Sequence, residues 1–133
     1  MMLVYFDSVI CIYAVEGPPS FQGRARSRIA AMAAAGDQAA VSDLTWLECR
    51  VKPLRLGDAA ALTAMEAFLT AADVVRVPLP TAVYERATRI RASYAYKLGD
   101  ALHLAAAVEA GCGVFLTNDL RLSAFPDIAV QVL

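Results

Sequence analysis

The sequence predicts a three-layer α/β/α sandwich built on a mostly parallel sheet of about five strands. Short apolar runs alternate with longer helical segments along the 133 residues. The first run, LVYF at residues 3–6, is apolar at every position, which is typical of a central parallel strand buried on both faces. No internal repeat or low-complexity linker interrupts the alternation, so we expect a single domain over residues 1–133.

Capping residues, glycines and prolines predict where the helices begin and end. The first helix begins at Ser8, and the second, rich in alanine, ends at Gly36. Ser42 or Asp43 is the expected N-cap of the third helix, and Pro53 predicts a break or kink near its end. The predicted strands are 3–6, 39–41, 74–77, 114–117 and 128–132, and the predicted helices are 8–16, 22–35, 44–51, 59–73, 82–96 and 100–111, with a short helical turn at 120–124.

Four carboxylates converge on one edge of the predicted sheet. Asp7 and Asp119 follow the first and fourth strands, Asp100 opens a helix at the same edge, and Glu48 lies about one turn into the helix after the second strand. Carboxylates this close repel one another unless a cation holds them, and an oxygen-only ligand set favours Mg²⁺ or Mn²⁺ over Zn²⁺. Such a cluster can activate water and stabilise the leaving oxygen of a phosphodiester.

Each acid also has an ordinary structural interpretation. Asp100 can cap its helix and interact with the helix dipole, Asp119 can shape a Thr-Asn-Asp turn, and Glu48 can pair with a nearby arginine on a solvated face. Asp7 is the hardest to explain in this way, because an acid that ends a core strand needs a partner. The coincidence of all four at one edge favours the metal site.

Other polar residues near the acids have supporting roles. Ser8 and Thr117 are candidates for hydrogen bonds around the metal, and Asn118 can do the same or only shape the turn. His103, the only histidine, follows Asp100 by three residues. We interpret it as a buried, hydrogen-bonded core residue and not as the catalyst, because leucines flank it and no second histidine or cysteine partners it.

The basic residues favour phosphate contact over simple solubility. Ten of the twelve are arginine, whose guanidinium group binds phosphate with two hydrogen bonds. Arg50, Lys52 and Arg55 follow Glu48 and are the first choice for a substrate-backbone patch. A net charge of −1 argues against a strongly basic nucleic-acid-binding domain, but it is compatible with a nuclease whose acids form a metal site.

The composition also limits the location of the protein. No apolar run is long enough to span a membrane, and the N-terminal run lacks the pattern of a signal peptide. The three cysteines have no metal-binding spacing and are read as small buried residues in a reducing cytoplasm. A hydrophobic fraction of 59% indicates a partner surface, either a homodimer or a dedicated binding protein.

Short motifs spread over the chain resemble those of the PIN-domain nucleases, and within them the VapC-type toxins of toxin–antitoxin operons. The most specific feature is the pairing of an Asp-Ala-Leu-His motif with a Thr-Asn-Asp motif that ends 19 residues after the first aspartate. The motifs are FDS at 6–8, WLE at 46–48, GDALHLAAA at 99–107 and VFLTND at 114–119.

The resemblance implies a Mg²⁺- or Mn²⁺-dependent endoribonuclease. Asp7, Glu48 and Asp100 match the core acids of the family, Asp119 matches the more variable fourth acid, and hydroxyl positions near the metal match Ser8 and Thr117. The resemblance further implies an RNA substrate, a homodimer, and a small antitoxin protein whose tail covers the acidic groove.

Two other classes of function stay open on the sequence alone. One is a metal-dependent phosphoryl-transfer or phosphatase-like domain with a similar acidic corner. A haloacid-dehalogenase-type enzyme would need Asp-x-Asp after the first strand, where this chain has Asp7-Ser8-Val9. The other is a non-catalytic binding module whose acids only cap helices, which would leave Asp7 and Glu48 unexplained.

Overall fold

A five-stranded sheet forms the centre of the computed structural model, which describes residues 1–133. The strands are β1 (Leu3–Phe6), β2 (Gln38–Val41), β3 (Val74–Arg76), β4 (Val114–Thr117) and β5 (Ala129–Val132). All neighbouring pairs are parallel, and the strand order is β3-β2-β1-β4-β5. The chain therefore builds outward from β1 to one edge and then crosses over to build the other half.

Six α-helices and one short 3₁₀ helix connect the strands. None of these helices combines the length and the hydrophobicity that a membrane-spanning helix needs. The helices are α1 (Ser8–Glu16), α2 (Pro19–Ala34), α3 (Asp43–Leu56), α4 (Ala59–Leu69), α5 (Thr81–Ser93) and α6 (Leu98–Glu109), and the 3₁₀ helix is Leu120–Ala124.

The two faces of the sheet carry separate hydrophobic cores. Because successive side chains of a strand point to opposite faces, Val4 and Phe6 pack with the buried residues of α1 to α4. Tyr5, between them, packs with α5, α6 and Phe125 on the other face. All three β1 side chains are fully buried. This arrangement confirms the predicted α/β/α sandwich, with a sheet that is parallel throughout.

The predicted break at Pro53 is wrong. Helix α3 continues through Pro53 to Leu56 and ends on Gly57, which has a φ of 64°. The backbone N–H groups of Gly57 and Asp58 donate to the carbonyls of Leu54 and Pro53, at 3.2 and 2.9 Å. Pro53 is buried. Packing of the proline and this left-handed cap together stabilise the last turn, although proline has no backbone N–H to donate.

Several other boundaries differ by a few residues. Helix α2 begins three residues earlier than predicted, at Pro19, because the fixed φ of proline suits the first turn of a helix. Helices α4 and α5 each end earlier than predicted, at Leu69 and Ser93. Helix α6 begins at Leu98 with no side-chain cap, so Asp100 lies within its first turn and is not the N-cap.

Candidate active site

The candidate site lies where the chain changes direction across the sheet, beyond the carboxyl ends of β1 and β4. Ligands of open α/β sheets bind at this kind of position. A cavity of about 380 Å³ opens there. It brings together all four acids that the sequence singles out, and its lining residues are Asp7, Ser8, Val9, Ile12, Glu48, Asp100, His103, Asn118 and Asp119.

Asp7 is fixed at the junction of β1 and α1. Its Oδ1 accepts from the backbone N–H of Ser8 at 2.9 Å, which caps α1. Its Oδ2 accepts from Thr117 Oγ1 at 2.7 Å, and Thr117 is the last residue of the neighbouring strand β4. The hydrogen bond from Thr117 therefore orients the Asp7 carboxylate, and no lysine or arginine is needed to hold it.

Glu48 reaches the same cavity from α3, in the second turn of the helix. Its Oε1 accepts from Ser8 Oγ at 2.7 Å and is 2.6 Å from His103 Nε2. Partial burial raises the pKa of Glu48, but the hydrogen bonds from His103 and Ser8 outweigh this effect and lower the pKa overall. The side chain is therefore held as a carboxylate in a defined orientation.

Asp100 is the one acid of the four that receives no hydrogen bond from the protein. Burial is the largest effect on its pKa and raises it, and the negative charges of Asp7 and Asp119 raise it further. Its carboxylate accepts no hydrogen bond, and its closest cationic group, Arg121 Nη2, lies 3.9 Å away. Negative charge that the protein leaves unbalanced is what a bound cation would relieve.

The donor set fits Mg²⁺ or Mn²⁺, since it consists of carboxylate oxygens with no sulfur ligand. In the side-chain positions of the structure, however, no group of three or more His, Cys, Asp or Glu residues is arranged to hold a metal ion. Protein groups already donate to Asp7, Glu48 and Asp119.

Asp119 is neutralised by Arg121, a residue whose role was not predicted from the sequence. The guanidinium donates from Nε and Nη2 to the two carboxylate oxygens at 3.0 and 2.6 Å. These hydrogen bonds lower the pKa of Asp119. The available signal was the spacing, because an aspartate that caps a short helix lies within reach of the residue two positions later.

His103 is buried and hydrogen-bonded, as the sequence predicted, with 1% of its surface exposed. Its Nδ1 lies 2.7 Å from the Tyr5 hydroxyl, which lies 2.8 Å from Ser42 Oγ. Burial keeps Tyr5 protonated by raising its pKa well above the usual range. The unexpected part is that Nε2 contacts Glu48, so the histidine also belongs to the wall of the cavity.

Asn118 and Gly99 also lie at the site, but neither contacts an acid through a hydrogen bond. Asn118 lines the cavity but donates to the Tyr13 hydroxyl at 3.2 Å, not to an acid. Gly99, in the first turn of α6, was not selected from the sequence. A Cβ atom at this position would stand 3.1 Å from Glu48 Oε2, so the glycine keeps space open beside that oxygen.

The predicted substrate patch lies outside the cavity lining. Arg50 pairs with Glu66 at 3.2 Å and lies over the Trp46 ring, 4.0 Å from its centroid. Lys52 and Arg55 are exposed. The arginine pairing considered for Glu48 is not formed, because Glu48 turns toward His103.

The fold is similar to that of solved toxin–antitoxin structures. A chain of the VapBC2 complex of Rickettsia felis, bound to a DNA fragment from its promoter, matches with a TM-score of 0.78 and 14% identity over 98% of both chains. A chain of a toxin–antitoxin complex from Klebsiella pneumoniae matches with a TM-score of 0.70 and 20% identity, over 98% of this chain and 99% of that one. The Mycobacterium tuberculosis toxin VapC20, described as cleaving the sarcin–ricin loop, matches with a TM-score of 0.73 and 17% identity, over 95% and 98%.

At these identities the structural matches establish a shared fold. No curated protein sequence is significantly similar to the chain. The family model described as PIN domain matches residues 4–128, a range that contains every strand end and helix turn carrying the four acids. The chain therefore belongs to the PIN domain family.

Proposed function

We propose that the protein is a metal-dependent endoribonuclease and the toxin of a toxin–antitoxin pair. The observation that carries the proposal is the meeting of four carboxylates in one cavity at the switch point of the sheet, where the nearest cationic atom to Asp100 is Arg121 Nη2 at 3.9 Å. Family membership agrees with this interpretation, as does the likeness in fold to VapC20, which is described as cleaving the sarcin–ricin loop.

In this proposal Asp7, Glu48 and Asp100 hold Mg²⁺ or Mn²⁺, and Asp119 is the fourth ligand once it separates from Arg121. When bound, the ion supplies Lewis-acid activation of water and stabilises charge on the phosphate. Thr117 and Ser8 orient the carboxylates through the hydrogen bonds described above. Asn118 has an indirect role at most, because its amide faces Tyr13.

The RNA backbone is proposed to follow α3 away from the acids. Lys52 and Arg55 lie four and seven residues after Glu48, and this spacing puts them on the same side of a helix. Both side chains are exposed and can therefore contact phosphate. Arg50 is the weakest member of the predicted patch, because its guanidinium is already paired with Glu66.

The proposed partners are a second copy of the chain and a small antitoxin protein. Helix α3 carries Leu47, Val51 and Leu54 with 58%, 43% and 58% of their surfaces exposed. Their spacing gives one apolar stripe, and such an exposed patch marks an interaction site. The similar solved structures include complexes of toxins with antitoxins. We propose that the stripe forms the homodimer and that the pair acts in the cytoplasm.

The test of the nuclease is Asp100→Asn, compared with Asp73→Asn as a matched control on the exposed surface. We expect Asp100→Asn to abolish RNA cleavage in Mn²⁺, because the least balanced carboxylate contributes a ligand and makes no hydrogen bond that folding requires. Asp73→Asn should cleave as the wild type does. Cleavage by Asp100→Asn at the wild-type rate would contradict the site assignment.

The same preparations decide between the proposal and its rivals. Incubation with acetyl phosphate and Mg²⁺ followed by mass spectrometry would detect an aspartyl phosphate, which would favour the phosphoryl-transfer class. Isothermal titration with Mn²⁺ would give no heat dependent on Asp100 if the protein were a binding module. We expect no phosphoprotein, and Mn²⁺ binding that Asp100→Asn removes.

A further inference from the structure

We infer that His103 is a positioning residue for the metal site, which holds the Glu48 carboxylate in place so that Oε2 is left for the cation. The inference rests on the proposed function, because it assigns a role around the same four acids. It concerns the one histidine of the chain, which contacts an acid of the cavity from inside the core.

The two oxygens of Glu48 have different surroundings. Oε1 lies 2.6 Å from His103 Nε2 and 2.7 Å from Ser8 Oγ, so two protein donors use the same atom. The distance between His103 Nε2 and Ser8 Oγ is 3.2 Å, which closes the triangle. Oε2 accepts no hydrogen bond from the protein. A carboxylate held through one oxygen presents the other in a fixed direction.

Gly99 keeps the space beside that second oxygen open. A Cβ atom at position 99 would stand 3.1 Å from Oε2, closer than most Cβ contacts in proteins. Glycine in the first turn of a helix weakens the helix relative to alanine. Its presence beside Oε2 agrees with a site in which this oxygen must remain accessible.

The other nitrogen of His103 is anchored by a chain of buried hydroxyl groups. Nδ1 lies 2.7 Å from Tyr5 Oη, and Tyr5 Oη lies 2.8 Å from Ser42 Oγ. One set of donors satisfies every contact: Ser42 donates to Tyr5, Tyr5 donates to Nδ1, and Nε2–H donates to Glu48. The chain links β1, α6 and α3 to Ser42 at the junction of β2 and α3, and no buried side-chain polar atom lacks a partner.

A catalytic role for His103 is incompatible with this geometry. Both ring nitrogens are engaged by the protein, and only 1% of the residue is exposed. Neither nitrogen can therefore take a proton from water or from a substrate hydroxyl without breaking an existing hydrogen bond. A purely structural role explains the Tyr5 contact but does not require the contact with a cavity acid.

The test measures Mn²⁺ affinity by isothermal titration for variants that separate the hydrogen bond from the fold. His103→Gln can keep a donor near the Nε2 position, whereas His103→Leu fills space without a donor. We expect His103→Leu to weaken Mn²⁺ binding by about 10- to 100-fold, as loss of a ligand-orienting partner does. His103→Gln should restore most of the affinity. Tyr5→Phe should weaken binding to a smaller extent, because it removes the hydroxyl that donates to Nδ1.

A control variant separates a loss of stability from a loss of Mn²⁺ affinity. Val83 is a fully buried apolar residue of α5 and takes no part in the hydrogen bonds between Ser42, Tyr5, His103 and Glu48. Val83→Ala removes its two methyl groups. It should lower the melting temperature and leave Mn²⁺ affinity unchanged. Equal affinity for Mn²⁺ in His103→Leu and the wild type would overturn the inference, as would a loss of affinity in His103→Gln as large as in His103→Leu.

Nitrogen NMR gives an independent readout, because a single histidine produces a single set of ring signals. We expect protonated Nε2 in the free protein, and a shift of the ring signals when Mg²⁺ is added. The shift should be absent in Asp100→Asn. An unprotonated Nε2 would overturn the inference, because that nitrogen could not donate to Glu48.

The two levels of failure are distinguishable. If the wild type binds no Mn²⁺ in a way that depends on Asp100, the proposed function fails. If the wild type binds Mn²⁺ and His103→Leu binds it equally well, the nuclease site stands and only the positioning role is wrong.

Discussion

At the scale of single residues, two acids of the site differ in how closely a cation approaches them. Asp100 faces Asp7 and Asp119 with its nearest cation 3.9 Å away, whereas Asp119 forms two short hydrogen bonds with Arg121. Burial and these neighbouring acids raise the pKa of Asp100, and the guanidinium lowers that of Asp119. The two acids therefore respond in opposite directions to pH and to mutation.

Asp100→Asn is expected to stabilise the protein while it inactivates it. Because its folded pKa is raised, Asp100 costs nothing when it is protonated in both states at low pH. The cost grows as pH rises from the ordinary aspartate pKa, where the unfolded state ionises, to the raised folded pKa, and it is complete above the folded pKa. At neutral pH the variant should therefore melt a few degrees above the wild type. Thermal melts over a pH series should show the gain vanish in acid, and a gain that persists at low pH would contradict the charge explanation.

Arg121→Gln should separate metal binding from RNA binding. Loss of the guanidinium makes the cavity more negative and frees Asp119, so Mn²⁺ should bind about two- to fivefold more tightly. The KM for RNA should rise, because the lost cation lies 3.9 Å from Asp100, beside the acids where the scissile phosphate would bind. Isothermal titration and single-substrate kinetics measure the two effects, with the exposed Arg89→Gln as control. A parallel loss of both affinities would indicate that Arg121 supports the structure of the site.

At the scale of elements, the end of α3 depends on one glycine. Gly57 has a φ of 64°, in the left-handed region, and follows the turn that contains Pro53. Gly57→Ala should lower the free energy of unfolding by about 1 kcal/mol, because alanine is strained there. Gly23→Ala, within α2 with open space around it, should raise it by about 0.5–1 kcal/mol. Urea denaturation compares the two variants, and effects of the same sign would contradict the explanation.

The elements also explain which features the sequence could predict. Apolar periodicity and turn residues are local signals, so the strands and helix order were predicted correctly, and parallel connectivity placed all four acids at one edge. The end of α3 was wrong because the burial of Pro53 and the cap at Gly57 outweigh the local effect of proline. Arg121 and Gly99 were missed because their roles are contacts with Asp119 and Glu48 that depend on side-chain geometry.

At the scale of the whole molecule, several large apolar side chains are exposed to solvent. Leu47, Val51 and Leu54 form the stripe on α3, and Leu98 at the start of α6 is 57% exposed. The two helices meet beside Glu48, since Gly99 of α6 faces its carboxylate. An interface here would border the cavity, so that dimer formation and access to the acids are linked in the proposed function.

Val51→Glu should convert the proposed dimer into a monomer. A charge buried at the centre of an apolar interface has no partner and is strongly unfavourable. As a control, Ala67→Glu places the same charge at an exposed position of α4 and should have no effect on assembly. Light scattering coupled to gel filtration should give twice the 14.2 kDa mass of the chain for the wild type and for Ala67→Glu, and 14.2 kDa for Val51→Glu. A wild type that is monomeric at high concentration, or a Val51→Glu variant that remains dimeric, would assign the stripe to another partner.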